Sequence, residues 1–144
     1  MRTGVRTLRG QLPNNTVRRL VVDDGDFTHA YRILEFYAFP VRPDNAAEDV
    51  AATLALNEQG ARISWDASNG SQIGWAATGI GGSRDLQGTF SLIDPDHIVV
   101  RDLWIYGSGS AAAPTNYLII LEPVTISEDR AVLALIKERQ QDDI

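Results

Sequence analysis

The sequence of 144 residues contains no cysteine, which excludes disulfide bonds, thiolate metal ligands and a cysteine nucleophile. It has no run close to the roughly 20 apolar residues of a membrane-spanning helix. The first residues, MRTGVRTLRGQL, lack the unbroken apolar stretch of a secretory signal peptide. We therefore expect a protein that is made in the cytoplasm, has no membrane partner and folds as one domain over residues 1–144.

Basic residues are few outside the N-terminal segment. Residues 1–22 carry five arginines and no acid, whereas residues 23–144 carry all 19 acids against eight bases, so the charges of +5 and −11 sum to −6. This acidity argues against a nucleic-acid partner, because binding phosphates needs a broad basic surface. The N-terminal arginines either lie over a β edge or form an arm, residues 1–12, that docks on an acidic protein. They are Arg2, Arg6, Arg9, Arg18 and Arg19.

Apolar side chains alternate in short segments that are separated by turn signals. This period of two predicts an all-β fold, an antiparallel β-sandwich of jelly-roll-like type. Leu12-Pro13-Asn14-Asn15 predicts a tight turn, because Pro fixes φ and Asn tolerates the left-handed region. The predicted strands are Val5–Leu12, Val17–Val22, His29–Phe39, Val50–Leu56, Ala61–Trp65, Gln72–Thr78, Gly88–Leu92, Ile98–Tyr106 and Tyr117–Glu122.

The C-terminal segment, residues 124–144, departs from this alternation. Ser127 can cap a helix, and Ile136 and Arg139 are among the residues that recur at helical spacing, which predicts a short helix at about 128–140. A buried strand is the alternative, because AVLALI is almost continuously apolar. In either form we expect the segment to cover the sandwich or to pack against another subunit.

Three segments are suited to contacts between subunits: the basic N-terminal segment, the small-residue loop Gly107–Thr115 and the apolar C-terminal segment. In the loop, Ser108, Ser110 and Pro114 are the candidate contact residues. Together with the five N-terminal arginines, Ile136 and Arg139, they form the predicted protein interface.

Eight aromatic residues fall on predicted strands or strand ends, and their position predicts that they fill the sandwich core. The alternative is an exposed platform on which a carbohydrate stacks. The residues are Phe36, Tyr37, Phe39, Trp65, Trp75, Trp104, Tyr106 and Tyr117.

No motif in the sequence predicts catalysis, a metal site or a cofactor. Asp94-Pro95-Asp96-His97 is the nearest approach to a zinc site, but it is better explained as a turn whose aspartates bind backbone amides. Asp23-Asp24-Gly25-Asp26 departs from the EF-hand spacing, and Gly79–Arg84 lacks the Gly-Lys-Ser/Thr ending of a phosphate loop. We therefore expect no catalytic, cofactor-binding or metal-binding residues, and a protein that is not an enzyme.

Three segments resemble small virion-associated proteins of bacteriophages, notably those of marine hosts: LPNNTVRRLVVDDGDFTHAYRILEF, SLIDPDHIVVRDLWIYG and NYLIILEPVTISEDRAVLALIKERQQDD. The resemblance spans residues 11–143. It implies a structural role in the virion, as a capsid decoration (cement) protein, a minor capsid or vertex protein, or a tail component. The implied partners are the major capsid protein or other virion proteins, and we expect a homo-oligomer, with a trimer preferred. Two alternatives are a carbohydrate- or receptor-binding module of a tail or spike, and a small wall-degrading hydrolase.

Overall fold

The computed structural model describes residues 4–22, 29–42, 49–58, 64–80, 87–109 and 113–125. Within these ranges the chain forms eight strands and no helix: β1 (Arg6–Leu12), β2 (Thr16–Val21), β3 (His29–Pro40), β4 (Val50–Ala55), β5 (Gln72–Ile80), β6 (Gln87–Ile93), β7 (Asp102–Gly109) and β8 (Thr115–Thr125). They build a three-stranded sheet, β1-β8-β3, and a five-stranded sheet, β2-β7-β4-β5-β6. All pairs are antiparallel, so the predicted all-β antiparallel sandwich is confirmed.

The core lies between the two sheets and follows directly from the alternation of side chains along each strand. In β8, Tyr117, Ile119 and Leu121 are buried, whereas the residues between them are partly exposed. In β7, Leu103 and Ile105 are fully buried in the same way. Phe36 on β3 is the largest of the fully buried side chains.

The order of the pairings is that of two interlocked Greek keys. Strand β1 pairs with β8, β8 with β3, β2 with β7, β7 with β4, and β4 with β5, as in an eight-stranded jelly roll. The sixth strand departs from that plan, because β6 pairs with β5 and not with β3. It still contacts β3 through Ser91, whose hydroxyl donates to the Phe36 carbonyl, and Thr78 on β5 donates to the Ala38 carbonyl in the same manner. These two hydroxyls satisfy carbonyls on the edge of β3 that β8 does not reach.

The predicted turn between β1 and β2 is confirmed. Asn15 takes a left-handed φ of 56°, which an asparagine tolerates better than most residues. Its backbone N–H donates to the Gly107 carbonyl at 2.9 Å, and its side-chain oxygen accepts from the Tyr106 hydroxyl at 3.0 Å. The Asn14 side-chain oxygen accepts from the Gly109 N–H at 2.8 Å. The turn is thereby fixed to the end of β7.

Several predicted strand boundaries are wrong. Ser64, Trp65 and Asp66 are not in a strand, and 61–63 lie outside the described residues. Strand β7 begins at Asp102 and not at Ile98, because the backbone before it forms only an isolated bridge, between Val99 and Tyr31.

At the C-terminal end, β8 runs to Thr125, so residues 124 and 125 belong to a strand that pairs with β3 and not to the helical segment. The predicted helix at 128–140, with Ile136 and Arg139, lies outside the described residues. Strands β7 and β8 also shorten the predicted loop Gly107–Thr115 from both sides, which places Ser108 within β7.

The prediction that the tryptophans fill the core is wrong. Trp65 is 45% exposed, and Trp75 and Trp104 are only partly buried. The reason is the period of two: Leu103 and Ile105 face the core, so Trp104 between them faces outward. Two other aromatic residues of the set, Tyr117 and Phe36, do belong to the core.

Candidate interaction surface

A small group of apolar side chains is exposed at the β6 edge of the five-stranded sheet. Phe90 and Leu92 are two residues apart on β6 and are 38% and 54% exposed, and Trp65 is 45% exposed beside them. The rings of Trp65 and Phe90 stack with centroids 5.4 Å apart and an angle of 22° between their planes. We call Trp65, Phe90 and Leu92 the β6 patch. Because these exposed apolar groups adjoin one another, the β6 patch is the candidate interaction surface.

The buried side chain of Gln72 positions Trp65. Its amide oxygen accepts from the Asp66 N–H at 2.9 Å and from the Trp75 indole N–H at 3.0 Å, and its amide nitrogen donates to the Ser64 carbonyl at 3.0 Å. One amide group thus holds the backbone on both sides of Trp65. The indole of Trp65 is thereby held against Phe90 by fixed backbone and not by ring stacking alone.

The turn after Trp65 is closed by its own polar side chains. The Asp66 carboxylate accepts from the backbone N–H and the hydroxyl of Ser68, and these hydrogen bonds lower the pKa of Asp66. The Asn69 side-chain oxygen accepts from the N–H and hydroxyl of Ser71. The segment Asp66–Gly70, which ends in the turn-favouring dipeptide Asn-Gly, thus forms a turn that returns the chain to β5.

The β6 patch continues into the rest of the outer face of the five-stranded sheet. Cross-strand pairing places Leu92 beside Trp75, Trp75 beside Thr53, and Thr53 beside Tyr106. We call this surface the outer face of the large sheet. Its apolar residues are Val17, Val21, Ala51, Ala55, Trp75, Ala77, Phe90, Leu92, Trp104 and Tyr106, and the same pairings place Thr53, Ser108 and the ion pair of Arg19 with Asp102 on it.

Two of the predicted interface arginines have partners within the sandwich. The Arg6 guanidinium donates to the Val22 carbonyl at 3.1 Å and lies 5.5 Å from the ring centroid of Tyr31. Arg18 donates to the Tyr117 hydroxyl at 3.5 Å. These contacts join β1 to the end of β2, and β2 to β8, across the edge of the sandwich. For residues 6–12, the predicted basic segment is an edge strand and not a free arm.

The other two arginines of the predicted interface that the structure describes, Arg9 and Arg19, lie on different surfaces. Arg9 is exposed on β1, beside Leu118 of the three-stranded sheet. Arg19 is on the opposite sheet, where it forms an ion pair with Asp102 at 2.9 Å. Ser108 and Pro114 are partly buried on either side of the loop between β7 and β8. The structure therefore does not bring the predicted contact residues onto one surface, and Arg2, Ser110, Ile136 and Arg139 lie outside the described residues.

His97, at the end of the turn Asp94-Pro95-Asp96-His97, is held by backbone groups of the fold. Its Nε2 accepts from the Ile33 N–H at 2.7 Å, and its Nδ1–H donates to the Asp94 carbonyl, which fixes the neutral tautomer. The Asp94 carboxylate accepts from the Asp96 N–H at 3.0 Å, as predicted. Burial lowers the pKa of His97, against the opposing influence of Asp94. Both ring nitrogens are engaged by backbone groups, so this histidine is not placed to bind a metal.

The remaining chemical candidates give no site within the part of the chain that the structure describes. In those ranges no three histidine or carboxylate side chains lie close enough together to hold a metal ion. None of the described segments forms a helix with the length and hydrophobicity that crossing a bilayer requires. Asp23–Asp26 and most of Gly79–Arg84 lie outside the described residues. No family model, no curated protein and no solved structure matches the chain.

Phe90 and Leu92 are not among the predicted interface residues, although the sequence contains a signal for them. The segment GTFSLI alternates, with Phe90 and Leu92 on one side and Thr89 and Ser91 on the other. In most half-buried strands the apolar side faces the core. Here Ser91 turns inward because it binds the Phe36 carbonyl, which leaves the apolar side on the surface.

Proposed function

We propose that this chain is a non-enzymatic structural protein of a bacteriophage virion, a capsid decoration (cement) protein that binds and stabilises the major capsid lattice. Two observations support the proposal. The pairing order of seven of the eight strands is that of a jelly roll, an architecture common in viral capsid domains. The sequence segments given above resemble virion-associated phage proteins. A shared architecture does not fix a function, so the proposal depends mainly on the surface.

The β6 patch is the observation that carries the proposal. A decoration protein attaches to the capsid by non-covalent contacts alone. The β6 patch offers a tryptophan, a phenylalanine and a leucine at one edge of the sheet, and large apolar side chains of this kind contribute much of the binding energy at interfaces. Gln72 holds Trp65 in place before any partner binds, which reduces the entropy lost on association. Many copies on a symmetric lattice then convert modest single contacts into firm attachment.

The direct test is co-sedimentation of the purified chain with particles assembled from the major capsid protein of the same phage. We expect the wild-type chain to sediment with the particles and Leu92→Asp to bind more weakly by about tenfold or more, because a charge replaces an exposed apolar side chain that the proposed contact buries. Val21→Asp is the matched control, since Val21 is equally apolar and 56% exposed but lies on β2, at the opposite edge of the same sheet. A wild-type chain that stays in the supernatant would overturn the proposal.

The proposed assembly is a homo-oligomer, and a trimer is the state that we test first. Sedimentation equilibrium of the free chain gives its mass directly, to be compared with the 15.8 kDa of one copy. A value near three copies supports a trimer that decorates a lattice of threefold symmetry. A chain that remains monomeric at all concentrations, and that shows no affinity for capsids, contradicts both parts of the proposal.

A second candidate is a carbohydrate- or receptor-binding module of a tail or spike. It is favoured by one observation, the 45% exposure of Trp65, since an accessible indole is the usual platform for a sugar ring. One of its ring faces is already occupied by Phe90. If this candidate is correct, soluble oligosaccharides change the tryptophan emission of the wild-type chain and not that of Trp65→Ala. Capsid binding without such a change favours the decoration protein.

A further inference from the structure

Strand β6 forms an open edge of the five-stranded sheet. It pairs with β5 on one side, and no strand among the described residues pairs with its other side. Gly88, Thr89 and Phe90 are exposed, and so is Leu92. The unpaired backbone groups of such an edge are a template for pairing with another strand. The outer side of β6 is therefore a place where a further strand can add to the sheet.

Charged side chains do not protect this edge as they protect the others. Proteins block the edges of their sheets with charges, prolines or bulges, among other devices. The other edge strands of the two described sheets, β1, β2 and β3, each carry a pair of charged residues: Arg6 and Arg9, Arg18 and Arg19, Arg32 and Glu35. In contrast, β6 has the sequence QGTFSLI, with no charge and no proline. A second strand can therefore approach β6 without burying a charge on it.

A hydrogen bond at the end of β6 shows which of its backbone groups point outward. The N–H of Asp94, directly after the strand, donates to the Ile73 carbonyl of β5 at 2.8 Å. Because the direction of the backbone groups alternates along an antiparallel strand, every second residue back from Asp94, including Phe90, also bonds to β5. The N–H and carbonyl groups of Thr89 and Ser91 therefore point to the free edge.

The outward groups are arranged symmetrically about the centre of the strand. Phe90 is the central residue of Gln87–Ile93, and Thr89 and Ser91 lie on either side of it. An antiparallel copy of β6, placed with Phe90 opposite its own counterpart, brings Thr89 of each copy opposite Ser91 of the other. Each of these pairs can then exchange both of its backbone hydrogen bonds. The edge is thus complementary to itself, as an interface with a two-fold axis requires.

The side chains agree with this register. Leu92 of each copy lies opposite Gly88 of the other, where a Cβ would find no described atom within 4 Å beyond the neighbouring residues. The leucine thus meets open space and not a competing side chain. The two copies of Phe90 face each other across the axis as a non-hydrogen-bonded pair, in which side chains come close and aromatic pairs are favourable.

We propose that two copies of this chain pair through β6, antiparallel and with Phe90 on the two-fold axis, so that their five-stranded sheets form one continuous sheet. The pairing uses the strand edge, so Phe90 and Leu92 stay on the outer face and the two β6 patches adjoin. The contact closes at two copies, and it therefore favours a dimer over a trimer. This inference does not depend on the proposed function, because it concerns the free chain.

Sedimentation equilibrium of the free chain is the first test. We expect the wild type to have a mass near twice the 15.8 kDa of one copy. We expect Thr89→Pro to have the mass of one copy, because proline removes an outward N–H that β5 does not use and its ring obstructs the edge. Thr89→Val is the matched control, since it keeps the N–H and should remain paired. A wild type with the mass of one copy or of three, or a pair that Thr89→Pro leaves intact, would overturn the proposal.

A second measurement remains decisive if Thr89→Pro does not fold. Because the chain has no cysteine, a single introduced cysteine can form a disulfide only with another copy. The Cα atoms of a non-hydrogen-bonded pair are about 4.5 Å apart, which is within the range of a disulfide. We expect Phe90→Cys to form covalent dimers under mild oxidation, seen by non-reducing gel electrophoresis, because the backbone pairing does not need the ring.

Leu92→Cys is the matched control for this cross-link. Leu92 lies on the same strand and the same face as Phe90 and is more exposed. In the proposed register, Leu92 of the second copy lies about 13 Å along the strand from the Gly88 that faces Leu92, too far for a disulfide. We expect Leu92→Cys to stay largely unlinked under the same conditions. No cross-link in Phe90→Cys, or equal cross-linking of the two variants, would overturn the proposal.

Discussion

The buried histidine offers the sharpest prediction about stability. His97 is 5% exposed and joins two backbone groups: it accepts from the Ile33 N–H on β3 and donates to the Asp94 carbonyl in the turn before β7. Replacing it by alanine removes the partner of the buried Ile33 N–H and of the part-buried Asp94 carbonyl. At about 1–3 kcal/mol for each, we expect His97→Ala to lower the free energy of unfolding by about 2–6 kcal/mol.

The same contact makes stability depend on pH. The folded pKa of His97 lies below the value of about 6.5 of the unfolded chain, since burial disfavours the imidazolium and Arg32 adds a smaller opposing charge. The unfolded chain therefore takes up a proton first as the pH falls. The stabilisation from this residue is fully present above pH 6.5 and is lost as the pH falls from there through the folded pKa. Each pH unit by which folding lowers the pKa corresponds to about 1.4 kcal/mol of free energy of unfolding.

Urea unfolding at pH 7.5 and at pH 5.0 measures both effects. His97→Gln is the matched variant, because its amide oxygen can accept from the Ile33 N–H but does not titrate. We expect the wild-type free energy of unfolding to fall more between the two pH values than that of His97→Gln, while contributions from the carboxylates cancel in the comparison. Equal losses in the two proteins, or a smaller loss in the wild type than in His97→Gln, would refute the reasoning.

Three other predictions are tested by urea unfolding at neutral pH. Arg19→Ala should cost less than about 1 kcal/mol, because its ion pair with Asp102 is largely exposed. A larger loss would show that the pair is buried by a further contact. Gly10→Ala should lower the free energy of unfolding by about 1–3 kcal/mol, because a Cβ there would lie 2.8 Å from the Tyr117 hydroxyl. An unchanged urea midpoint would contradict this contact. Gln72→Leu should cost about 1–3 kcal/mol through the lost buried hydrogen bonds and shift tryptophan emission to longer wavelength, whereas unchanged emission would show that other contacts hold the Trp65 segment.

Features fixed by local chemistry are the ones that the sequence predicts well. The turn at Leu12–Asn15 follows from the φ that proline imposes and the conformations that asparagine tolerates, and Asn15 takes the left-handed φ. The turn at Asp94–His97 follows from aspartates that bind nearby amides. Both depend on residues next to one another in the chain, so no knowledge of the tertiary structure is needed.

Features that depend on which side of a strand is buried are not predictable in the same way. Alternation shows that Trp104 lies on one face and Leu103 with Ile105 on the other, but both faces are apolar, and only the packing of the second sheet decides between them. In β3, an irregularity in pairing between Ile33 and Glu35 breaks the period and leaves Leu34 exposed at 41%.

The candidate site was missed for a related reason. Gln72 carries no sequence signal, because its role depends on meeting Ser64 and Asp66 across a turn that must first fold. The short apolar segment Ala61–Trp65 predicts a core strand for Trp65, since aromatic residues in such segments usually occupy one. Trp65 instead lies outside the strands, where the Gln72 amide binds the backbone on either side of it and its ring stacks on Phe90.

Hydroxyl-radical footprinting of the free and particle-bound chain tests the central claim most directly, because it reports the accessibility of each side chain. If the β6 patch is the docking surface, the reactivity of Trp65, Phe90 and Leu92 falls on binding, while that of Phe39, an equally exposed aromatic residue on β3, stays the same. Protection confined to Phe39 and its neighbours, with the β6 patch as reactive as before, would contradict the account.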